Sequence, residues 1–374
     1  MALDVSAVPV APVGAGRYVI ELARALGAIP ACELGLVSRR DDAERWRRFA
    51  PHADVLAAAP PRLAARVAWG ELALGAALAH LAHPPVVLHG PHYTLPLRSP
   101  CATVVTVHDL TLVDHPEWHE RAKVVYFTRA LRRAARADVV VCVSQPTADR
   151  FRERLAPDVP VVVVPHGVDH ARFHPARDEG EAAADGEVLA RLGVHPPYVL
   201  HVGTIEPRKD LGRLVAAFDV LATGHRELTL VLAGRVGWRA EGFEASLAAA
   251  HHAERVRRLG YVADDDLPAL VRHAAAVAYP SLEEGFGLPA LEALACGSPL
   301  VTTEGSVMAS LAGDAARCAL PGDPAALAEA LEEALAGGQE GARRRALGLE
   351  AAARHTWARS AAAHLAAYRL AAGR

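Results

Sequence analysis

The chain has 374 residues, of which 52% are hydrophobic and 5% aromatic, and its formal net charge is −3. This composition excludes a disordered chain, because so much apolar surface can form a large core. The small net negative charge and the few aromatic residues exclude a general nucleic-acid binder. The length, at about 150 residues per domain, predicts two domains.

Short apolar runs alternate with helical stretches along the chain. Strands are predicted at residues 3–10, 33–38, 86–89, 103–108, 139–144, 161–165, 198–203, 228–233, 257–261, 276–280 and 300–303. Such alternation is typical of parallel sheets covered by helices on both faces, which is an α/β fold. The polar segment 176–197, rich in Gly and Pro, is predicted to link an N-terminal domain (1–175) to a C-terminal domain (198–356). A final helix over about 357–374 could cover either domain.

The first strand is followed by a glycine-containing loop at residues 12–16. Gly14 and Gly16 precede a helix and would let a phosphate or sugar approach the backbone closely. Because the full GxGxxG spacing is absent, an ordinary strand-to-helix turn is an equal alternative.

His108 and Asp109 end the strand at 103–108, where ligand sites of α/β proteins gather. A strand-end histidine that merely satisfies a hydrogen bond is the alternative for His108. His115 and His119 have the spacing of metal ligands on a helix, but Pro116 disfavours a helix there, so no metal site is predicted.

Residues 121–136 carry six basic side chains and no acid. They predict a basic face suited to an anionic membrane surface or a phosphate-bearing acceptor. A solvated helix face is the alternative explanation.

The segment VGTIEPRKD places Arg208 and Lys209 after a strand that ends at Gly203 and, we predict, in the first turn of a helix. Cations are unfavourable at a helix N-terminus, so their presence favours an anionic ligand such as a diphosphate. Lys209 is one of only two lysines in the sequence, the other being Lys123. A solvated basic pair is the alternative.

The segment SLEEGFGLPALEALACG predicts an acidic, glycine-rich turn followed by a helix that begins near Leu288. Glu284 and Glu292 are eight residues apart, which corresponds to roughly 12 Å along a helix. Pairs of glycosidase carboxylates lie roughly 5–9.5 Å apart. The two glutamates are therefore predicted to bind hydroxyl groups rather than to form a hydrolytic pair.

Together these motifs, with VHDL and PHGVDHARFHP, resemble the retaining glycosyltransferases of family four, and the resemblance covers nearly the whole chain. It implies a GT-B fold, in which two Rossmann-like, doubly wound domains face each other across a cleft. Trp357 before the last helix also resembles this family, in which that helix returns to the N-terminal domain.

The resemblance implies roles for individual residues. Lys209 and Arg208 would bind the donor diphosphate, Glu284 would bind hydroxyls of the donor sugar, and His108 would reach the transferred sugar; these four are the predicted catalytic residues. The remaining predicted donor-site residues are Gly14, Gly16, Gly203, Thr204, Arg235, Tyr261, Val262, Phe286, Gly287, Leu288 and Glu292, where Glu292 would hold the ribose and Tyr261 and Val262 would lie near the base. Asp109 is predicted on the acceptor side.

The sequence departs from the family at one position. Many members have arginine directly after the glycine that ends the first strand of the C-terminal domain, where this chain has Thr204. Arg235 is the candidate replacement. This variant looks most like bacterial mannosyl- or rhamnosyltransferases.

The resulting expectation is a metal-independent, retaining transferase without a cofactor that moves mannose from GDP-mannose to a glycan or lipid-linked acceptor. A UDP- or dTDP-sugar donor for a glucosyl, N-acetylglucosaminyl or rhamnosyl transfer is the alternative. A sugar-nucleotide epimerase or hydrolase, or a non-catalytic nucleotide-sugar binder, is a further one. Five scattered cysteines and no signal peptide predict a cytoplasmic protein, peripheral to the inner membrane face if the basic segment binds lipid.

Overall fold

The computed structural model describes residues 1–12 and 14–373; Val13, in the glycine loop, and Arg374, the last residue of the predicted final helix, lie outside the described residues. The chain forms two compact units. The first comprises Met1–Gly167 and the segment from Trp357 onward, and the second comprises Val168–Thr356.

The described residues of each unit form one parallel sheet. The first unit contains β1 (Ala2–Asp4), β2 (Gly35–Arg39), β3 (Asp54–Ala59), β4 (Val87–Gly90), β5 (Ala102–Val107), β6 (Val139–Cys142) and β7 (Val161–Val163), in the order β3-β2-β1-β4-β5-β6-β7. The second unit contains β8 (Tyr198–Val202), β9 (Thr229–Ala233), β10 (Val256–Gly260), β11 (Ala276–Tyr279), β12 (Leu300–Thr303) and β13 (Ala316–Ala319), in the order β10-β9-β8-β11-β12-β13. Strand order therefore reverses between β1 and β4 and again between β8 and β11, as it does in doubly wound folds.

Helices connect the strands. The α-helices of the first unit are α1 (Ala15–Gly27), α2 (Ala43–Phe49), α3 (Leu63–Leu72), α4 (Leu74–Ala79), α5 (Thr111–Asp114), α6 (Arg121–Ala134), α7 (Gln145–Leu155) and, at the end of the chain, α16 (Trp357–Ala371). Those of the second unit are α8 (Glu179–Leu192), α9 (Leu211–Gly224), α10 (Glu241–Ala249), α11 (Leu267–Arg272), α12 (Leu288–Cys296), α13 (Val307–Ala312), α14 (Pro324–Ala336) and α15 (Gly338–Ala353). Short 3₁₀ turns occupy Pro116–Trp118, Pro207–Lys209, Ala253–Arg255 and Gly313–Ala315.

Neighbouring residues of one strand contribute to different hydrophobic cores. Val104 packs in the core that contains α1 and α16, whereas Val105 packs in the core that contains α6 and α7. Because side chains alternate across a strand, both faces of the sheet are covered by helices. This arrangement confirms the predicted α/β fold class.

The structure corrects three predictions about the elements. Strands β3 and β13 are absent from the predicted set, and β1 ends at Asp4 rather than at residue 10. Both missed strands lie at an edge of their sheet, and β3 is rich in alanine and largely exposed. An exposed, alanine-rich edge strand lacks the run of β-branched residues that marks a buried parallel strand.

The segment predicted as the linker, 176–197, contains helix α8 and belongs to the second unit. The Asp178 side chain caps this helix by accepting the Glu181 N–H at 2.8 Å. The buried Asp185 carboxylate accepts Arg272 Nη2–H at 2.6 Å and Nε–H at 2.7 Å. A polar segment can thus be ordered by a buried ion pair. The chain passes from the first unit to the second after Gly167 rather than within the predicted linker.

Helix α16 is held on the first unit by buried polar side chains. His364 Nδ1–H donates to the Ser360 carbonyl oxygen at 2.8 Å, which leaves Nε2 to accept the Tyr18 hydroxyl at 2.9 Å. Trp357, the first residue of α16, packs against the Tyr18 ring with a centroid distance of 6.2 Å.

The same hydrogen-bonded chain continues into the sheet. The Tyr18 hydroxyl oxygen lies 2.9 Å from Thr106 Oγ1, which in turn lies 2.8 Å from His89 Nε2. His89 Nδ1 lies 2.8 Å from the Tyr368 hydroxyl, back on α16. With His89 and His364 neutral, each group in this chain has one donor and one acceptor, so the network is satisfied throughout.

Candidate functional site

The predicted donor residues of the second unit gather at the carboxyl ends of β8 and β11, on either side of the point where strand order reverses. In open parallel sheets this is the place where ligands bind. The loop after β8 carries Arg208 and Lys209, and the loop after β11 carries Glu284.

The loop after β8 differs from the prediction. Arg208 and Lys209 lie in the 3₁₀ turn Pro207–Lys209, and helix α9 begins only at Leu211. Between them Asp210 adopts a left-handed conformation with φ +50°, which prevents one continuous helix. The two cations therefore precede the helix rather than occupying its first turn.

Glu284 is the centre of a compact ion-pair cluster. Its carboxylate accepts hydrogen bonds from Lys209 Nζ, from Arg208 Nη1 at 2.5 Å and from Ser281 Oγ at 3.1 Å. Arg208 Nε also lies 2.7 Å from Glu206 Oε1. The protein thus supplies two carboxylates for the two cations, whereas the sequence pattern predicted compensation by an external anion.

Burial sets the electrostatics of this cluster. Burial and the neighbouring Arg208 charge lower the pKa of Lys209, which is only 8% exposed. Burial raises the pKa of Glu284, but the Arg208 and Lys209 charges outweigh it and hold the pKa at about 2. Glu284 is therefore ionised at neutral pH and can accept hydrogen bonds from hydroxyl groups, but it is unsuited to act as a general acid.

Helix α12 begins at Leu288, as predicted, directly after Gly287. Glu292 lies in its second turn and is 7% exposed. Phe286 is buried, and its ring makes an edge contact with His355 at 6.2 Å. Glu284 and Glu292 accordingly belong to different elements, a loop and a helix.

Gly287 has no room for a side chain. Its φ is +93°, and a Cβ there would overlap Met308 Cγ and lie 3.0 Å from Met308 Sδ. We expect Gly287→Ala to lower the free energy of unfolding by more than the roughly 1–2 kcal/mol of left-handed strain alone. Urea unfolding would measure the loss. Gly305→Ala is the matched control, because Gly305 has φ +72° with no atom within 4 Å of the added Cβ. Equal losses in the two variants would contradict this account.

The outer part of the loop region contains Arg235, Tyr261 and Val262. The Arg235 guanidinium stacks over the Tyr261 ring at 5.1 Å, and its backbone carbonyl accepts the Ile205 N–H at 2.9 Å. Val262 is buried, 7% exposed. Arg235 thus lies just after β9, the strand beside the one that Thr204 follows, and its guanidinium is held on an aromatic ring. That Arg235 takes the place of the arginine missing at Thr204 stays a prediction.

Close packing brings the ends of β8 and β9 together. Gly203 N–H donates to the Ala233 carbonyl at 2.9 Å, and a Cβ at Gly234 would overlap the Gly203 carbonyl oxygen. Only glycine at 234 permits this approach of the two backbones.

The predicted residues of the first unit lie at the ends of β5 and at the start of α1. Gly14, with φ +46°, and Gly16 flank the beginning of α1. His108 Nε2–H donates to the Pro91 carbonyl at 2.8 Å, and Asp109 Oδ1 accepts from Thr111 N–H at 3.1 Å and Thr111 Oγ1–H at 2.9 Å. These contacts position both side chains within their own unit.

His201, in β8, was missed by the sequence analysis. It is fully buried, and its Nδ1–H donates to the Ala278 carbonyl at 2.9 Å. Its Nε2 has no hydrogen-bond partner among the described residues and lies 3.0 Å from the position of a Cβ on Gly203. A histidine inside the apolar run YVLHVG, two residues before a glycine, is the signal that could have identified it.

The histidines considered for a metal have other partners. His115 stacks on Trp118 with a centroid distance of 3.9 Å, whereas His119 Nε2 lies 3.0 Å from Thr111 Oγ1. The two side chains therefore have different partners, an indole ring for His115 and a hydroxyl group for His119.

The chain is similar to known proteins in both sequence and fold. The profile of the family "Glycosyl transferases group 1" matches residues 191–353, and that of "Glycosyltransferase Family 4" matches residues 12–172. Sucrose-phosphate synthase from Thermosynechococcus elongatus superposes with a TM-score of 0.77 at 22% identity, and Anabaena HepE in complex with UDP-glucose with 0.73 at 19% identity; each match covers 98% of both chains. These likenesses define the fold as GT-B.

In sequence, the chain is 31% identical over 289 residues to O-antigen chain mannosyltransferase B of Escherichia coli, covering 76% of this chain and 74% of that protein. The chain belongs to glycosyltransferase family 4. It is a hexosyltransferase, as the sequence analysis predicted. None of the helices within the described residues combines the length and the apolar character of a membrane-spanning segment.

Proposed function

We propose that this protein transfers mannose from GDP-mannose to a glycan or lipid-linked acceptor with retention of anomeric configuration and without a metal ion. The observation that carries the proposal is the cluster of buried Lys209 with the partly buried Arg208 and Glu284, where the strand order of the second sheet reverses. The likeness to a mannosyltransferase supports the choice of sugar.

Donor binding exchanges partners within this cluster. Lys209 and Arg208 then donate hydrogen bonds to the diphosphate in place of some of those to Glu284. The Glu284 carboxylate in turn accepts hydrogen bonds from the sugar hydroxyls. Two fixed cations in a site shielded from water neutralise the charge that develops on the leaving diphosphate, which is a large catalytic term. With this charge already neutralised, a metal ion is unnecessary.

The chemical step breaks the bond between the anomeric carbon and the β-phosphate oxygen. The acceptor hydroxyl oxygen bonds to the same carbon on the same face, and its proton passes to the departing phosphate oxygen. The products are the glycoside and the nucleoside diphosphate. Glu284, ionised and paired with two cations, binds and orients the sugar but does not attack it.

The test is a thermal-shift panel with and without magnesium that contains GDP-mannose, UDP-glucose, UDP-N-acetylglucosamine, dTDP-rhamnose and the free nucleotides. A ligand at about 100 times its Kd stabilises by about 2.7 kcal/mol, enough to raise Tm visibly. We expect GDP-mannose to raise Tm equally with and without magnesium. A selective shift with UDP- or dTDP-sugars would replace the donor. No shift with any nucleotide would overturn the proposal.

Donor consumption without an acceptor would indicate a hydrolase or epimerase. Incubation of the protein with GDP-mannose alone, followed by nucleotide analysis, separates these activities from transfer. We expect the donor to remain intact until an acceptor is added.

We also propose peripheral contact with an anionic membrane through helix α6. Arg121, Lys123, Arg129 and Arg132 are exposed on this helix, and Val125 between them is 52% exposed. Basic residues beside an exposed apolar side chain suit a bilayer surface. We expect the protein to float with phosphatidylglycerol-rich vesicles at low salt. The double variant Arg129→Glu/Arg132→Glu should no longer float with them. Equal flotation of the variant would contradict the assignment.

A further inference from the structure

His201 lies in the middle of the second sheet, close to the cluster of Lys209 and Glu284. It belongs to β8, which pairs with β11, and the loops after these two strands carry Lys209 and Glu284. Side chains two residues apart share one face of a strand, so His201 is on the same face as Gly203, where β8 ends. The ring is fully buried. A buried imidazole therefore adjoins the loop that carries Lys209.

The hydrogen bonds of the His201 ring define its tautomer. Nδ1 lies 2.9 Å from the Ala278 carbonyl oxygen, which can only accept, so Nδ1 carries the proton. Burial lowers the pKa of the ring to about 4, so the ring is neutral at pH 7 and Nε2 is an acceptor. Nε2 has no hydrogen-bond partner among the described residues. A donor that reaches Nε2 in the working protein would recover the free energy that such a buried acceptor costs.

Lys209 is the cation that acts on His201, since its charge adds to the lowering of the pKa of the imidazole. A Cβ added to Gly203 would lie 3.0 Å from His201 Nε2 and 3.7 Å from Lys209 Cε. Both atoms therefore border the same small space, which glycine leaves open. The Lys209 ammonium is one bond beyond Cε on a flexible chain, so rotation about the bonds of this side chain can direct an N–H group to Nε2.

The Lys209 ammonium has more donors than acceptors. It carries three N–H groups, and Glu284 is its only hydrogen-bond acceptor in the part of the chain that the structure describes. Arg208 and Ser281 donate to the same carboxylate, so Glu284 serves three partners before any sugar hydroxyl is bound. Burial and the Arg208 charge lower the pKa of Lys209, so a second acceptor would help to keep its ammonium charged.

We propose that His201 is a positioning residue of the donor site: when a nucleoside diphosphate draws Lys209 away from Glu284, His201 Nε2 accepts one N–H of the ammonium and leaves another to the diphosphate. The inference rests on the proposed function, because it requires an anionic ligand at Lys209. His201 acts through Lys209 rather than on the substrate. It fixes the direction of the ammonium and favours its charged form.

Two amide side chains separate the two hydrogen bonds of His201. In His201→Asn the amide nitrogen takes the place of Nδ1 and keeps the bond to the Ala278 carbonyl, whereas the acceptor at Nε2 is lost. In His201→Gln the longer side chain keeps an acceptor near the place of Nε2, whereas the bond to Ala278 is lost. A purely structural role would make the Gln variant the weaker binder. The positioning role makes the Asn variant the weaker one.

His364→Asn is the matched control. His364 is also fully buried, and its Nδ1–H also donates to a backbone carbonyl, that of Ser360, at 2.8 Å. It belongs to the first unit, so the same truncation is made away from Lys209. This variant should lower Tm without changing the affinity for a nucleoside diphosphate.

Titration calorimetry with GDP, UDP and dTDP would identify the nucleoside diphosphate that binds most tightly and give its Kd for each variant. We expect His201→Asn to weaken this binding about tenfold or more, which is the effect of losing a hydrogen bond to a charged group. His201→Gln should stay within about threefold of the unaltered Kd, although it loses the bond to Ala278 and its Tm falls.

The pH dependence of Kd reports on Lys209 itself. Its ammonium faces the charges of Arg208, Glu284 and Glu206 as well as the neutral His201, and removal of the His201 acceptor disfavours the charged form. The ratio of Kd for His201→Asn to Kd for the unaltered protein should therefore increase from pH 7 to about pH 10, near the ordinary pKa of lysine. Ionisation of the ligand cancels in this ratio. A packing defect alone would leave the ratio constant.

Three results would each overturn the proposal: an unaltered Kd in His201→Asn, weaker binding by His201→Gln than by His201→Asn, or a constant Kd ratio from pH 7 to about pH 10. If His201→Asn does not fold, His201→Gln decides, since a loss of affinity of about tenfold there would equally overturn the proposal. These results leave the proposed function intact, because the unaltered protein still binds a nucleoside diphosphate. Absence of binding of all three nucleotides to the unaltered protein would overturn the proposed function and this inference with it.

Discussion

Transfer is expected to fall by about 10³-fold or more in kcat/KM when Lys209 is replaced by alanine. Lys209 is buried, and its ammonium contacts the Glu284 carboxylate next to Arg208. Its removal takes away one of the two cations that stabilise the leaving diphosphate. Arg208 and Ser281 still donate to Glu284, so the carboxylate stays paired and the variant stays folded.

Steady-state kinetics on Lys209→Ala, with circular dichroism and Tm to show folding, would measure this loss. The other lysine offers a matched control. Lys123 is exposed and lies 3.2 Å from Glu120, so Lys123→Ala should keep the unaltered rate with a soluble acceptor, whose transfer needs no membrane contact. Lys209→Arg tests geometry, because the charge is kept while the compact ammonium becomes a planar fork. A folded Lys209→Ala variant with full activity would refute the assignment of this cluster to the diphosphate.

Acidification from pH 7 to pH 5 is expected to remove about 5 kcal/mol from the free energy of unfolding. Burial lowers the pKa of His92, His201 and His364 to about 4, with a smaller lowering from the neighbouring His108 on His92 and His364 and from Lys209 on His201. Burial likewise lowers the pKa of three further histidines, which are His89, His108 and His166.

The sign follows from proton linkage. The unfolded chain takes up protons on these side chains as the pH falls through about 6.5, whereas the folded chain does so only near pH 4. Stability is therefore complete above about pH 6.5 and falls progressively below it. Each histidine with a pKa of about 4 lowers the free energy of unfolding by about 2 kcal/mol at pH 5. The sum for three such histidines approaches the whole stability of an ordinary domain.

Urea unfolding at pH 7, 6 and 5 would measure the effect. His364→Gln removes one titrating group from the hydrogen-bonded chain on α16, so its unfolding free energy should depend less steeply on pH, by about one proton. His52→Gln is the control at an exposed position. An unfolding free energy that is constant from pH 7 to pH 5 would show that these histidines are not held neutral in the folded protein.

Local patterns in the sequence determined the two parallel sheets. Their buried strands are continuous runs of valine, leucine and alanine, and such runs are typical of strands that are covered on both faces. They also determined the start of α12 after Gly287, since glycine followed by Leu-Pro is a helix-start pattern. Edge strand β3 escaped prediction because an edge needs no apolar run. Helix α8 escaped because its order comes from Arg272, which is far away in sequence.

The motifs around Lys209 and Glu284 could be recognised in the sequence because each is a contiguous run of residues on one loop. Their ion pair could not be predicted, because it joins two loops that only the sheet brings together. The contact of the buried His201 with the Ala278 carbonyl could not be predicted for the same reason. Sequence alone thus determined the family and the elements that carry the site, whereas tertiary structure decided the partners, burial and charge balance of its groups, since these depend on contacts between residues far apart in the chain.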